Sequence, residues 1–470
     1  MRTSLQVAFL CLFLPLTASA QYIDTVWSYL PAPGQFINTP TGGQPRSVFS
    51  ICDGVSGLLS LGAFGGSVVF SFDRPVENHP DHPFGVDFSI FGNALPDWSE
   101  PGVVWVMKDE NQNGLPDDQW YALAGSDYFF SHTQTGYRVT YYNPGGDEAR
   151  DVPWTSTSGD SASIRTNAAH TQSYYPLPDS FPSIGSDSFS LEGIRISGMR
   201  DDRNPIRERS LHRAFGYADN RLRGKAPYDY PDNPYTLERE NAGGDAFDIS
   251  WAVDSSGRYV DLDEIHFVKV QSAMQADGGW LGEVSTEITG AVLVSPSPGW
   301  EGCMEILLIR DLPLQIDTGR HQLELFYFSN GRLQALPEVD WTVSQGDAKV
   351  DEHLVLSVLS EGELQLRASL RSNPDIFADA ITSVVAPTRI HSFGSDKAIA
   401  VYPNPLTDVL YVRGASGRGL ALYSLSGICL KQFRPQTSPA LLDLSDLPSG
   451  VYIVSIDGAA GTHRIKVIKR

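Results

Sequence analysis

Helical periodicity is almost absent from this chain, and that absence most limits what the chain can fold into. Instead, short runs of β-branched and aromatic residues recur between clusters of Gly, Pro, Asn and Asp. Such runs predict strands, because these side chains suit a half-buried pleated surface and the intervening residues favour turns. The runs before residue 295 include SVVFSF, GVDFSIFG, GVVWVM, YRVTYY, SFSLEGIRI, IHFVKVQ and TEITGAVLV. We therefore predict an all-β protein in which residues 21–294 form a large, jelly-roll-like β-sandwich.

Two smaller β segments follow this block. Ser-Pro-Ser-Pro-Gly at residues 295–299 has the composition of a linker, and evenly spaced strand patterns such as HQLELFYF and HLVLSVLS come after it. Their spacing predicts an immunoglobulin-like module over residues 295–386, which we interpret as a spacer. A second boundary near Ala386 precedes a small β-sandwich over residues 396–470.

The first twenty residues, MRTSLQVAFLCLFLPLTASA, have an early Arg, an apolar centre and a small-residue ending. This pattern predicts a secretory signal peptide over residues 1–20, cleaved before Gln21. No later run approaches the roughly 18 apolar residues of a membrane span, so we expect no transmembrane segment.

Three cysteines remain after cleavage: Cys52, Cys303 and Cys429. They are odd in number and far apart in the sequence, so they imply no disulfide framework.

The charge balance restricts the partners. The formal net charge is −21, or −22 once Arg2 leaves with the signal peptide. An acidic surface repels phosphates, which argues against nucleic acid and anionic membranes as partners. It is compatible with cation binding and with a soluble extracellular protein.

An acidic loop follows the run GVVWVM. Side chains with oxygen atoms stand at every second residue, as in Asp-x-Asn-x-Asn-Gly, and a hard cation such as Ca²⁺ takes six to eight oxygen ligands. Strand-like flanks and a Trp at the position of the last EF-hand acid exclude an EF-hand. We predict a structural calcium site in a loop between strands; the alternative is a solvated hairpin held by Asx-turns. The predicted ligands are Asp109, Asn111, Asn113, the Leu115 carbonyl, Asp117 and Asp118.

Tryptophans and acids that cluster in Gly-, Pro- and Asp-rich motifs are the candidate ligand-binding residues, because loops of a sandwich commonly carry binding sites. We expect at least one of Trp98, Trp120 and Trp280 to be partly exposed beside a concave, acid-rimmed face. The alternative for the Asp245 and Asp248 pair is a strand entry with two solvated acids. The full candidate set is Trp98, Glu100, Trp120, Asp245, Asp248, Trp280 and Glu283.

Catalytic motifs are scarce. HExxH, GxSxG and phosphate-binding Gly-rich loops do not occur, and we assign no catalytic residue. Paired acids for glycoside hydrolysis are defined by their separation in space, so Glu100 and Glu283 stay candidates, with local pairing as the alternative. His79 and His82, in NHPDHP, lie between prolines and predict an exposed turn rather than a metal pair.

The last 75 residues contain Tyr402-Pro403-Asn404-Pro405, Leu447-Pro448-Ser449-Gly450-Val451-Tyr452 and a closing basic strand from His463 to Lys469. This segment resembles the C-terminal sorting domain of the bacterial type IX secretion system. The resemblance implies that the secretion machinery is a partner, and that the protein passes the outer membrane to become surface-attached or released.

Residues 22–294 resemble an uncharacterised family of secreted and cell-surface β-sandwich proteins of gut and environmental bacteria. The matching phrases include YLPAPGQFIN, SLGAFGGSVVFSF, FGVDFSIFGNA, SEPGVVWVM, FGYADN and DAFDISWAVD. Some members carry domains of the kind found in cobalamin-binding proteins, so the resemblance implies a corrinoid-type nutrient as one ligand class. Composition favours a glycan instead.

We therefore predict an exported surface binding protein with a calcium-stabilised β-sandwich and an extracellular glycan or corrinoid-type ligand. The first alternative is a secreted glycan-active hydrolase or lyase. The second is a structural or adhesive surface protein.

Overall fold

The computed structural model of the chain describes residues 22–52, 54–197, 199–201, 209–222, 230–236, 243–278, 281–299, 304–385, 400–402, 404, 406–413, 415–424, 428–436, 439–458 and 461–469. The predicted signal peptide, Trp280 and Cys303 lie outside these residues. The chain forms two compact units, Met1–Val384 and Val385–Arg470. Within the described residues, no helix has both the length and the hydropathy needed to cross a membrane.

The fold is all-β, as predicted. In the described part of the chain, three short 3₁₀ helices occur at Pro45–Ile51, Pro83–Gly85 and Ile249–Trp251. The strands before residue 295 are β1 (Thr25–Leu30), β2 (Leu59–Ser60), β3 (Ser67–Ser71), β4 (Val76–Glu77), β5 (Phe88–Phe91), β6 (Gly102–Met107), β7 (Trp120–Leu123), β8 (Gln134–Tyr142), β9 (Val152–Ser156), β10 (Ser161–Ile164), β11 (Ser188–Arg195), β12 (Met199–Asp201), β13 (Arg209–Leu211), β14 (Asp245–Phe247), β15 (Ala252–Val253), β16 (Glu264–Ile265), β17 (Phe267–Ser272), β18 (Glu287–Ile288) and β19 (Gly290–Leu293).

A six-stranded sheet, in the order β1-β3-β17-β6-β7-β15, is the centre of this region. Its inner face shares a hydrophobic core with the three-stranded sheet β14-β5-β19, and Val104, Val268 and Phe88 are among the buried residues of that core. A four-stranded sheet, β10-β9-β8-β11, has its own core around Tyr141. Ile194, near the end of β11, packs with Val103 on the outer face of the six-stranded sheet. Both faces of the six-stranded sheet are covered over part of their length, so strands such as β3 are buried at every residue.

The strands of the second module are β20 (Glu305–Ile309), β21 (Gln315–Asp317), β22 (Gly319–Gln322), β23 (Leu325–Ser329), β24 (Arg332–Gln334), β25 (Val339–Gln345), β26 (Ala348–Val350), β27 (Val355–Val358), β28 (Gly362–Leu370) and β29 (Phe377–Val385). They pair as β20-β23-β24, β21-β29-β28-β25 and β22-β27-β26.

This module packs on the preceding block within the first unit: the Trp251 Nε1 donates to the Asn330 carbonyl at 3.1 Å. Arg213 is buried and pairs with both Asp127 and Asp311, at 2.6 Å each.

The second unit has the strands β30 (Ala400–Tyr402), β31 (Val409–Arg413), β32 (Leu420–Ser424), β33 (Cys429–Phe433), β34 (Ala440–Asp443), β35 (Gly450–Gly458) and β36 (Gly461–Lys469). Two sheets, β30-β31-β34 and β33-β32-β35-β36, enclose one apolar core. The Asn404 side chain donates to the Lys466 carbonyl at 2.8 Å and accepts from the Ile468 amide at 2.9 Å. The Tyr-Pro-Asn-Pro motif therefore fastens the last strand through its Asn.

Candidate functional site

The acidic loop connects two strands, as the sequence predicted, and these strands are antiparallel. In the β6–β7 hairpin, Trp105 pairs with Ala122 and Met107 pairs with Trp120, so residues 108–119 form the connection. The chain reverses at Gln112 and Gly114, whose φ angles are 57° and 73°. Glycine has no Cβ, so it adopts such a φ with little strain.

Hydrogen bonds draw the polar side chains of this loop together. The buried Asp109 carboxylate accepts from the Asn113 and Gly114 amides, at 3.2 and 2.8 Å. The Asn111 side chain contacts both Asp117 and Asp118 at 3.2 Å, and that of Asn113 contacts Asp117 at 3.1–3.2 Å. All five predicted side-chain ligands therefore belong to one hydrogen-bonded set. Carboxylate and amide oxygens are the donors that hard cations such as Ca²⁺ prefer, so the residues present fit that ion.

An aromatic groove lies on the outer face of the six-stranded sheet. Trp105 and Lys269 are register partners on β6 and β17, and Trp120 is on β7. The Lys269 Nζ lies 4.6 Å from the ring centre of Trp105 and 5.1 Å from that of Trp120. Burial lowers the pKa of Lys269 to about 8. The groove has a volume of about 460 Å³ and its lining also includes Tyr128, Thr135, Glu192, Asp254, Ser255 and Gln271.

A separate cleft contains a cluster of three acids. Oxygen atoms of Glu100, Asp219 and Glu287 lie within 4.8 Å of one another. Burial and the neighbouring carboxylates raise the pKa of Glu100 and of Asp219, and burial raises the pKa of Glu287. The cleft has a volume of about 560 Å³, and Trp98 and His170 also line it. Such carboxyls can share protons or act as an acid–base pair.

The remaining predicted ligand residues are mostly buried. Trp98 is 7% exposed, at the wall of the acid cleft. Asp245 accepts from the Asn220 and Arg221 amides, and burial raises its pKa to about 7. Asp248 caps a 3₁₀ helix by accepting from the Ser250 amide at 2.7 Å.

Because Asp245 and Asp248 are both 4% exposed, the alternative that they are solvated acids at a strand entry is wrong. The Glu283 Oε1 accepts from the Gln35 amide at 2.8 Å, and burial raises the Glu283 pKa to about 8.

The expected exposed turn at the two histidines was also wrong for His82. Its side chain is buried, and its Nδ1 lies 2.7 Å from the Asp87 carboxylate. That carboxylate also accepts from the Ile249 amide at 2.7 Å. The His82–Asp87 contact, together with the Ile249 amide, ties three segments of the chain together, which is a structural role. The neighbouring prolines had predicted an exposed turn and gave no sign of this burial.

Lys269, Asp219 and Glu287 were missed by sequence reasoning. Lys269 had a detectable signal, because it interrupts the apolar run IHFVKV at a position where alternation places it on the same face as Phe267. Asp219 and Glu287 had none, since they approach Glu100 only through the tertiary fold.

Residues 400–470 match the family described as secretion system C-terminal sorting domain. No curated protein matches the chain. Several solved structures have a partial likeness, among them these three. PorZ, a surface component of the type-IX secretion system of Porphyromonas gingivalis, is 16% identical over 33% of this chain and 20% of its own, with a TM-score of 0.15. The D00–D0 domain of intimin is 12% identical over 35% of this chain and 100% of its own, with a TM-score of 0.14.

The third structure is SGBP-B of a Bacteroides ovatus mixed-linkage glucan utilization locus, in complex with a heptasaccharide. It is 16% identical over 47% of this chain and 57% of its own, with a TM-score of 0.13. The chain thus spans about a fifth of the length of PorZ. The family match lies within the second unit, and residues 400–470 are a type IX sorting domain that directs the protein to the cell surface or the extracellular space.

Proposed function

We propose that this exported protein binds an extracellular glycan in the aromatic groove, and that calcium in the acidic loop stabilises the sandwich. The observation that carries the proposal is the placement of Trp105 and Trp120 on one hairpin, both lining a groove of about 460 Å³. Ligand sites commonly have volumes of this order, with aromatic walls and a few polar groups. Aromatic rings that are only part-buried can stack on the apolar faces of sugar rings.

The calcium part of the proposal rests on the donor set of the loop. An ion there would be held by Asp109, Asn111, Asn113, Asp117 and Asp118, with the Leu115 carbonyl as the backbone donor. Because the two ends of the loop are the ends of β6 and β7, the ion would fix the hairpin that carries both tryptophans. A site present only in the folded state stabilises that state by mass action.

Affinity electrophoresis of the full chain through gels containing soluble polysaccharides tests the binding function. Trp120→Ala should lose the retardation that the wild type shows. Trp27→Ala is the matched control, because Trp27 is an exposed tryptophan of the same six-stranded sheet but does not line the groove. A fluorescence titration with cobalamin tests the corrinoid class separately: saturable quenching of tryptophan fluorescence by cobalamin, in a chain that no polysaccharide retards, would replace the glycan by a corrinoid.

A glycan-active hydrolase is the second candidate, and the carboxyl cluster is what favours it. Glu100 and Glu287 line one cleft and both have raised pKa values, which a general acid requires. Release of reducing sugar from the same polysaccharides, abolished by Glu287→Gln, would support this candidate. Absence of release by a folded wild type leaves the acids as a structural cluster.

A further inference from the structure

The acidic side chains that line the aromatic groove have partners of opposite charge, whereas its lysine has none among the described residues. Two acids line it, Glu192 and Asp254, and each already has an arginine partner. The Arg138 Nε donates to Glu192 at 3.0 Å, and Arg258 contacts Asp254 through two nitrogens at 2.9 and 3.1 Å. The groove acids are therefore neutralised at the rim.

Lys269, in contrast, contacts the rings of Trp105 and Trp120. Among the residues that the structure describes, no carboxylate forms an ion pair with its ammonium, which lies 4.6 and 5.1 Å from the two ring centres. A partly buried cation without a counter-charge is stabilised by an anionic partner, because burial strengthens the attraction between the charges. The groove thus has an excess positive charge in a chain whose net charge is −21.

The uncharged polar groups of the groove indicate which groups a ligand would have besides an anion. Thr135 and Ser255 line it, and their hydroxyls form no hydrogen bond with the described residues. Hydroxyl groups both donate and accept, so they suit the hydroxyls of a sugar ring. Aromatic walls, free hydroxyls and one uncompensated ammonium together match a sugar that carries a carboxylate.

We propose that the groove selects acidic saccharides, glycans that contain uronic acid, with the ligand carboxylate bound by the Lys269 ammonium. Thr135 and Ser255 then contact ring hydroxyls, and the exposed part of Trp120 packs on the sugar face. This inference rests on the proposed glycan-binding function and adds its ligand class. Lys269 is the residue that determines selectivity.

Isothermal titration of the full chain tests the inference. The probes are oligosaccharides of galacturonate and of glucuronate, each with its carboxyl-reduced neutral counterpart. We expect the acidic form to bind about ten- to a hundredfold more tightly than the neutral form, the range of a charge-assisted hydrogen bond. Lys269→Met should erase that difference while keeping the aliphatic stem, and Lys269→Arg should retain most of it. Melting curves of each variant establish that it is folded.

The pH profile is a second readout. Since the carboxylate binds the protonated amine, the preference for the acidic form should decline as the pH rises through about 8 in the wild type. Equal affinity for acidic and neutral forms would overturn the inference and leave the glycan-binding function intact. Binding of neither form, nor of a panel of neutral polysaccharides, would overturn both. A preference that survives Lys269→Met would place the anion contact elsewhere and reject the role of Lys269.

Discussion

Met107 and Trp120 face each other across the β6–β7 hairpin, so the last pair before the acidic loop includes a tryptophan of the aromatic groove. Met107 is fully buried, which anchors one side of that pair in the sandwich. Trp120 is therefore the first residue after the acidic loop that is held by strand pairing, so a change in the conformation of the loop would act directly on its position.

The first prediction concerns calcium. Chelation should lower the melting temperature of the wild type, and Asp109→Ala should lower it without a chelator. A ligand at a hundredfold its Kd adds about 2.7 kcal/mol of stability, which is the scale of the expected loss. Glu110→Gln is the matched control, because this exposed neighbour is not among the predicted ligands. Melting curves that coincide in calcium and in chelator would leave only a hydrogen-bonded hairpin.

The second prediction concerns coupling between the loop and the groove. If calcium orders the hairpin, its removal should weaken binding at Trp120 by severalfold, because the freed chain must be ordered on binding. Titrations of one glycan in calcium and in chelator measure this ratio. An unchanged affinity, together with a calcium-dependent melting temperature, would show that the loop stabilises the fold without acting on the groove.

The third prediction concerns pH. Burial raises the pKa of Glu283 to about 8, whereas an unfolded Glu titrates near 4.5. Between these values the folded state holds a proton that the unfolded state releases, so stability falls as the pH rises, by up to about 1.4 kcal/mol per pH unit. Glu283→Gln, which keeps an acceptor for the Gln35 amide, should become progressively more stable than the wild type from pH 5 to pH 8. Denaturant unfolding at several pH values checks this; parallel stability curves would contradict it.

The fourth prediction concerns the contact between the two modules of the first unit. Arg213 is 7% exposed and holds Asp127 on one side and Asp311 on the other. Arg213→Met should lower the free energy of unfolding by about 3–5 kcal/mol, because it leaves the buried Asp127 carboxylate without its charged partner. Arg367→Met is the control, since its pair with Asp379 is solvent-exposed and such pairs contribute at most about 1 kcal/mol. Equal losses for both variants would exclude a special role for the Arg213 bridge.

The fifth prediction concerns sorting. A chain truncated before about Ala398 should accumulate in the periplasm while the first unit folds normally, because separate compact units fold independently. Fractionation and immunoblotting measure its location. Efficient surface display of the truncated chain would reject the role of residues 400–470.

Local patterns predicted the all-β class, the position of the acidic loop between two strands, and the sorting segment. These features depend on alternation, turn residues and contiguous motifs such as Tyr-Pro-Asn-Pro. Contacts between distant residues were not accessible, because the approach of Glu287 to Glu100 and of Lys269 to Trp105 depends on strand order. Burial of Asp245 and Asp248 was missed for the same reason: backbone amides from other segments, which compensate Asp245, cannot be identified from the residue pattern alone.

The most direct test of the central claim is tryptophan fluorescence of the full chain in calcium, titrated with glycans and with cobalamin. Difference spectra between the wild type and Trp120→Ala isolate the groove from the other tryptophans. Saturable quenching or a spectral shift with a glycan, lost in Trp120→Ala and kept in Trp27→Ala, is the result that a glycan-binding groove predicts. No change with any glycan at saturating concentration, in a protein whose melting curve is intact, would contradict it and favour an adhesive or structural surface protein.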